Sequence, residues 1–243
     1  MKNYLIGLLV FTISFTSYAQ AELMGFRDYR DIADSFYMNF KGNDKFDIND
    51  VKGSPFLIEE FVTGYIVDTK AENKAQTNLR YDIYNDVFEI QLNPGDESLK
   101  TLERTPRFQY TINGEKFVLI QTDALNVEHY TSGNGYVVEL TQPDAGVTLY
   151  KRYYKSLNQG KKASTSYGAD IPPSISDEMM FLIKMDNKFV VAESHRKRVL
   201  DAFPSNKQSQ LKDFIKDKGL RFKGSDKEVQ NDMIQLVRYY NSL

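Results

Sequence analysis

Residues 78–121 read NLRYDIYNDVFEIQLNPGDESLKTLERTPRFQYTINGEKFVLIQ, and the fold is decided in this stretch. Leu79-Arg80-Tyr81-Asp82-Ile83-Tyr84 and Val87-Phe88-Glu89-Ile90-Gln91-Leu92 alternate apolar with polar side chains on either side of Asn85-Asp86. Asn and Asp tolerate a positive φ, which a two-residue primed turn requires, so the spacing predicts a hairpin. Arg107 to Ile112 and Glu115 to Gln121 repeat the arrangement around Asn113-Gly114, a strong short hairpin signal.

Working outward, Gly53-Ser54-Pro55 is turn chemistry, and Phe56 to Val67 reads as one or two strands interrupted at Thr63-Gly64. Asp68 to Gln76 is polar and reads as a loop, while Asn93-Pro94-Gly95-Asp96 ends the first hairpin. Leu125 to Tyr130 and Tyr136 to Thr141 suggest another strand pair, followed by a long strand from Val147 to Ser156. In that strand Val147, Leu149, Lys151 and Tyr153 share one face, and Thr148, Tyr150, Arg152 and Tyr154 share the other. A half-exposed strand is expected, with Lys and Arg stems lying along neighbouring rings; stacking on bases or sugars is the competing use of the same residues. Asn158 to Pro173, rich in Ser, Gly, Lys and Pro, reads as a mobile loop. Glu178 to Met185 and Lys188 to Ala192 form a last hairpin at Asp186-Asn187.

Beyond Ala192 the period changes from two to that of a helix. His195 to Phe203 places Val199, Leu200 and Phe203 on one side before Pro204. Ser205 with Gln208 fits a capping box, Leu211, Phe214 and Ile215 follow at helical spacing, and Gly219 stops the element. Ser225 with Glu228 repeats the capping signature ahead of the stripe Val229, Met233, Leu236, Val237 and Tyr240. The expected fold class is α+β: an antiparallel β-meander of roughly eight to ten strands, flat or curled into a partial barrel, followed by three C-terminal helices. The expected organisation is residues 1–19 as a signal peptide, 20–193 as a β-rich region and 194–243 as a C-terminal helical region packed on it.

The signal peptide rests on order. Met1-Lys2-Asn3 gives a positive start, Tyr4 to Phe15 an apolar run, and Ser17-Tyr18-Ala19 small residues at the positions a signal peptidase reads. Export to the periplasm or the cell exterior is expected. No cysteine follows the apolar run to carry a lipid anchor, and no later segment reaches the ~18 uninterrupted apolar residues of a membrane helix. Between residues 26 and 40, Tyr29, Ile32, Ala33, Phe36, Tyr37 and Phe40 fit one helical face, although Phe36 to Phe40 fits an alternating strand equally well. The acidic run Asn43 to Asp50 lacks the order and closing Glu of a calcium loop.

Composition excludes more chemistry than it assigns. The 243 residues contain no cysteine, which removes disulfides, thiolate nucleophiles and cysteine-ligated metals. Only His129 and His195 are available as imidazole bases, and neither lies in a G-x-S-x-G setting. A net charge of -2 gives no global attraction to nucleic acid or anionic lipid. The cluster Arg196-Lys197-Arg198, Lys207, Lys212, Lys216 and Lys218 is diluted by Asp201, Asp213 and Asp217 into an ordinary charged exterior. Phosphate loops, dinucleotide fingerprints and HExxH are missing from the sequence, so no residue is named as catalytic, cofactor-binding or metal-binding. Asp82 and Glu89 could face each other across the first hairpin, which keeps a carboxylate pair in play.

Gly53-Ser54-Pro55-Phe56-Leu57 with Glu60-Phe61 and Gly64, the segment Leu79 to Asp86, and the Lys/Arg-rich helical end closing in Tyr239-Tyr240-Asn241 together resemble a loose group of uncharacterised exported proteins of Gram-negative bacteria. The resemblance implies export and a β-rich body followed by helices. Two functional readings follow. The first is a non-catalytic cell-envelope protein that binds an envelope protein or a small or lipidic ligand, with no nucleic acid and no cofactor. The alternative is a carboxylate-dependent hydrolase acting on envelope carbohydrate, which needs two acidic side chains in one cleft roughly 5 to 10 Å apart.

Overall fold

A computed structural model describes residues 51–91, 100–122, 133–143, 146–158, 160, 161, 163, 167–186, 188–195 and 198–243. Their strands are β1 (Val62–Asp68), β2 (Asn73–Asp82), β3 (Val87–Gln91), β4 (Lys100–Thr101), β5 (Phe108–Ile112), β6 (Glu115–Thr122), β7 (Gly133–Glu139), β8 (Val147–Asn158), β9 (Ser174–Met185) and β10 (Lys188–Ala192). Two helices follow, α1 (Ser205–Lys218) and α2 (Asp226–Tyr240). All ten strands belong to one antiparallel sheet in the order β10-β9-β8-β7-β6-β5-β1-β2-β3-β4. The expected segments at residues 1–19, 26–40 and 125–130, and His129 with them, lie outside the described residues.

This order corrects the expected meander. The chain runs hairpin by hairpin from β1 to β4, then returns so that β5 pairs with β1, Tyr65 opposite Thr111 and Asp68 opposite Phe108. Gly64 permits that approach, because a Cβ on it would lie 2.5 Å from the Thr111 carbonyl oxygen. It is therefore a packing site inside a continuous β1, and the expected break at Thr63-Gly64 does not occur. The Arg107 guanidinium grips the Asp68 carboxylate at 2.5 and 3.0 Å, and the Thr69 N–H donates to the Arg107 carbonyl at 2.9 Å. Together they fix β5 beside β1.

Turns with a local code form as expected. Asn113 and Gly114 both take positive φ, and Ile112 pairs with Glu115 across them. The first hairpin differs. Asp82 pairs with Val87, so its loop is the four residues 83–86, with Asp86 at φ 54°. The polar run read as a loop is partly strand, since β2 begins at Asn73 with one side facing solvent.

The sheet curls without closing. In a flat sheet β3 and β7, five steps apart, would be separated by about 24 Å. Instead the Phe88 ring of β3 lies 5.1 Å from Tyr136 of β7, 5.3 Å from Phe117 of β6, 4.1 Å from Tyr110 of β5 and 4.8 Å from Tyr81. Offset and edge-on rings at these spacings add about 0.5 to 1.5 kcal/mol per pair beyond the area they bury. The five rings fill the concave side of the curl. On the same side, Val147, Leu149, Phe181 and Ile183 receive the buried stripe of α2 (Val229, Met233, Leu236 and Val237) with Leu211 and Ile215 of α1. Leu140 packs against both clusters.

The expected three helices are two. The segment before Pro204 forms a single 3₁₀ turn, Val199–Ala202, because the residue preceding a proline is driven to extended backbone, and Phe203 has φ -114° and ψ 152°. The predicted box at Ser205 and Gln208 is not made: Pro204 is the N-cap, and Gln208 Nε2 donates to the Phe203 carbonyl at 2.9 Å. Ser225 and Glu228 do form a reciprocal box, and Gly219 caps α1 in the left-handed region. Asn241 locks the end of α2 to β8 through two bonds with the Val147 backbone at 3.0 and 2.8 Å.

One carboxylate holds the curl across the open side. The β7–β8 ladder is short: Val138 pairs with Lys151 and Glu139 with Tyr150, and the Leu140 N–H donates to the Leu149 carbonyl at 2.9 Å. Beyond that point, Asp86 at the β2–β3 tip accepts the Tyr136 N–H at 3.2 Å, the Tyr81 hydroxyl at 2.5 Å and Arg104 Nη2 at 2.6 Å. Arg152 Nη2 of β8 stands 3.6 Å away. Gly135 lets Arg152 cross β7, since a Cβ there would fall inside the guanidinium. Burial pushes the Asp86 carboxyl up, while the two guanidiniums and its hydrogen bonds pull it down. The expectation of a half-exposed β8 is thereby corrected: Lys151 and Arg152 are both buried, at 5% and 4% exposure.

Asp86→Asn keeps a residue tolerant of positive φ but removes the carboxylate that faces the buried Arg152 and the partly exposed Arg104, so urea unfolding is expected to show a loss of about 3 to 5 kcal/mol. Gly135→Ala disturbs the same junction, and the double variant is expected to lose less than the two single losses combined. The Arg107 guanidinium holds the Asp68 carboxyl at about 2, below the ordinary 3.8 of a free aspartate. A carboxyl whose folded pKa is depressed contributes stability above pH 3.8, and that contribution fades as pH falls toward 2. Asp68→Asn is expected to lower stability at neutral pH and to flatten the fall across this acid window, read by denaturant midpoints at stepped pH.

Candidate functional site

Residues 51–57 carry no regular strand, yet they span the mouth of the curl. The Lys52 N–H donates to Pro173 and the Ile175 N–H to Lys52, both at 2.9 Å, which fastens one end of this strap to the start of β9. At the other end the Leu57 N–H donates to Tyr81 and the Ile83 N–H to Pro55, again at 2.9 Å, which fastens it to the end of β2. Gly53 sits at φ 118° where the strap crosses Ile175, and a Cβ would lie 2.7 Å from the Ile175 carbonyl oxygen.

Beneath the strap is a cleft of about 270 Å³ lined by Gly53, Ser54, Phe56, Leu57, Glu59, Lys155, Ile175 and Asp177. Its apolar walls are Phe56, Leu57 and Ile175. Arg80 stacks on the far side of this segment, 3.6 Å from the Phe56 centroid and 4.5 Å from Phe61. The guanidinium is held in place by Glu89 at 2.5 Å and by the Glu59 carbonyl at 2.9 Å.

The polar element of the cleft is an asymmetric ion pair. Lys155 and Asp177 are cross-strand partners in the β8–β9 ladder and their side chains form an ion pair. The lysine side chain is 3% exposed, whereas the aspartate is 70% exposed. The ammonium also donates to the Phe56 carbonyl at 3.0 Å, so it ties the strap to the sheet. An ammonium carries three N–H donors, and the Asp177 carboxylate and the Phe56 carbonyl are its two oxygen partners among the described residues.

The sequence-based candidates are not brought together here. Glu89 is paired with Arg80, and Asp82 binds the Asn85 N–H at 2.9 Å and its side-chain amide at 2.7 Å, with burial pushing its carboxyl up. The Asp82 and Glu89 carboxylates thus serve the hairpin. His195 is exposed just before the 3₁₀ turn, where its carbonyl accepts the Arg198 and Val199 N–H groups at 2.8 Å. Arg198 pairs with Glu193 at 3.2 Å on the surface. A further buried polar group, Lys151 with Glu115 and Tyr153, lies between the two concave clusters; burial and the Glu115 carboxylate push the Tyr153 hydroxyl far up. Among the described residues no group of three or more His, Cys, Asp or Glu could hold a metal ion, and no helix is long and apolar enough to cross a membrane.

Compared with protein-family models, with curated proteins and with solved structures, the chain matches none.

Lys155→Met removes the donor to Phe56 and frees an already exposed carboxylate, so the expected loss is about 1 to 2 kcal/mol. Amide exchange at Leu57 and Ile175 is expected to accelerate more than exchange in the β5–β6 hairpin, as hydrogen–deuterium exchange would report.

Proposed function

We propose that this is an exported, non-catalytic protein of the cell envelope, periplasmic or extracellular, that binds a small amphiphilic or lipidic ligand under its strap. The cleft is the observation that carries the reading. Phe56, Leu57 and Ile175 supply an apolar wall, and Lys155 with Asp177 supplies one hydrogen-bonding end. Ligand sites of this kind combine apolar lining with a few placed polar groups. Export is supported by the order of charge, apolar run and small residues over residues 1–19 and by the resemblance to exported proteins of Gram-negative bacteria.

A second reading has its own support, because Glu59 and Asp177 line the same cleft. Two acids on one cleft are the minimum for a carboxylate-dependent hydrolase of envelope carbohydrate.

Titration with an alkyl-chain amphiphile, followed by thermal shift and by chemical-shift changes at Leu57 and Ile175, tests the first reading. Glu59→Trp fills the mouth from an exposed position and is expected to abolish the response while circular dichroism stays unchanged. A response retained in Glu59→Trp would remove the cleft as the site. Turnover of envelope glycan that is lost in both Glu59→Gln and Asp177→Asn would replace binding with hydrolysis.

A further inference from the structure

We infer that β10 is a self-association edge, and that two copies of this chain pair antiparallel through Lys188–Ala192 about a twofold axis at Val190. Among the described residues the strand order leaves β4 and β10 at the ends of the sheet. β4 is only two residues long, which is one way a sheet end is protected from pairing. β10 has five residues with no proline, and its one charge, Lys188, is at the start of the strand. Such an edge is a ready template for another strand.

Side-chain alternation fits a second copy. Phe189 and Val191 lie on the convex face, where they pack against the cluster of Ile120, Val137, Tyr150 and Leu182. Val190 points to the opposite face and is 42% exposed, one of the few large apolar side chains so placed among the described residues. Antiparallel pairing centred on Val190 sets Phe189 against Val191 of the partner subunit and Val190 against Val190 of the partner subunit. The convex apolar cluster then continues across the axis, and the exposed valine is covered.

Charge does not oppose the register. Lys188, the one charge of the strand, falls opposite Ala192 of the partner subunit, so no like charges face each other across the pair. An interface in which one patch meets its own copy is the isologous contact of a twofold dimer.

The cysteine-free chain makes the test direct. Directly opposed residues of an antiparallel pair bring their Cβ atoms to roughly 4.5 to 5.5 Å, within small adjustment of disulfide reach. Val190→Cys is expected to form a disulfide-linked dimer under mild oxidation, whereas Lys74→Cys, exposed on β2 away from the axis, is not. Sedimentation of the unaltered protein is expected to show a mass rising toward that of a dimer with concentration. Val190→Lys is expected to remain monomeric with unchanged circular dichroism. Equal cross-linking of the two cysteine variants, or equal sedimentation of the unaltered protein and Val190→Lys, would overturn the proposal.

Discussion

The curl of this sheet depends on a carboxylate at the tip of a hairpin. Asp86 reaches the Tyr136 N–H at the point where β7 and β8 separate, and it gathers Arg104 and Arg152 around itself. Among the described residues no backbone ladder closes the gap between β3 and β7, so this junction and the aromatic rings behind it take the place of strand pairing. The rings contribute non-directional burial, whereas the carboxylate contributes position. Its positive φ is part of the same arrangement, because that backbone aims the side chain across the gap. Gly135 completes it by leaving room for the guanidinium.

The opposite opening is handled differently. There the strap of residues 51–57 uses backbone bonds to β2 and β9, and Lys155 adds one bond from below. A side-chain junction on one flank and a backbone strap on the other leave the sheet curled and open, with the cleft under the strap. The ligand reading and the fold therefore share residues. Lys155 is at once a structural fastener and the polar end of the cleft.

What was legible in the residues follows the range of the interactions involved. Asn113-Gly114 turns as expected because its φ preference is local, and the Ser225 and Glu228 box forms because its partners are three residues apart. The stripe of α2 was equally readable from its spacing. Interactions distant in sequence were not. Nothing near Gly64 announces that Thr111 will lie beside it, so the glycine read as an interruption. Lys151 and Arg152, on opposite faces of β8, read with Lys155 as part of a half-exposed strand. Their burial depends on Glu115, Asp86 and Phe56, which arrive from other parts of the chain. The cleft was hidden for the same reason: a turn-forming Gly53-Ser54-Pro55 gives no sign that it will cross the mouth of a sheet.

The return of β5 to β1 also governs the order in which the molecule can assemble. β1 to β4 emerge first and can pair by short hairpins, but β1 keeps one bare edge until Thr111 reaches Tyr65. Phe88 stays uncovered longer, since its companions Phe117 and Tyr136 come later still. High contact order of this sort slows folding and prolongs the exposure of sticky intermediates. The N-terminal half of the sheet is thus a waiting template, and its late-arriving strands make completion a cooperative, chain-wide event.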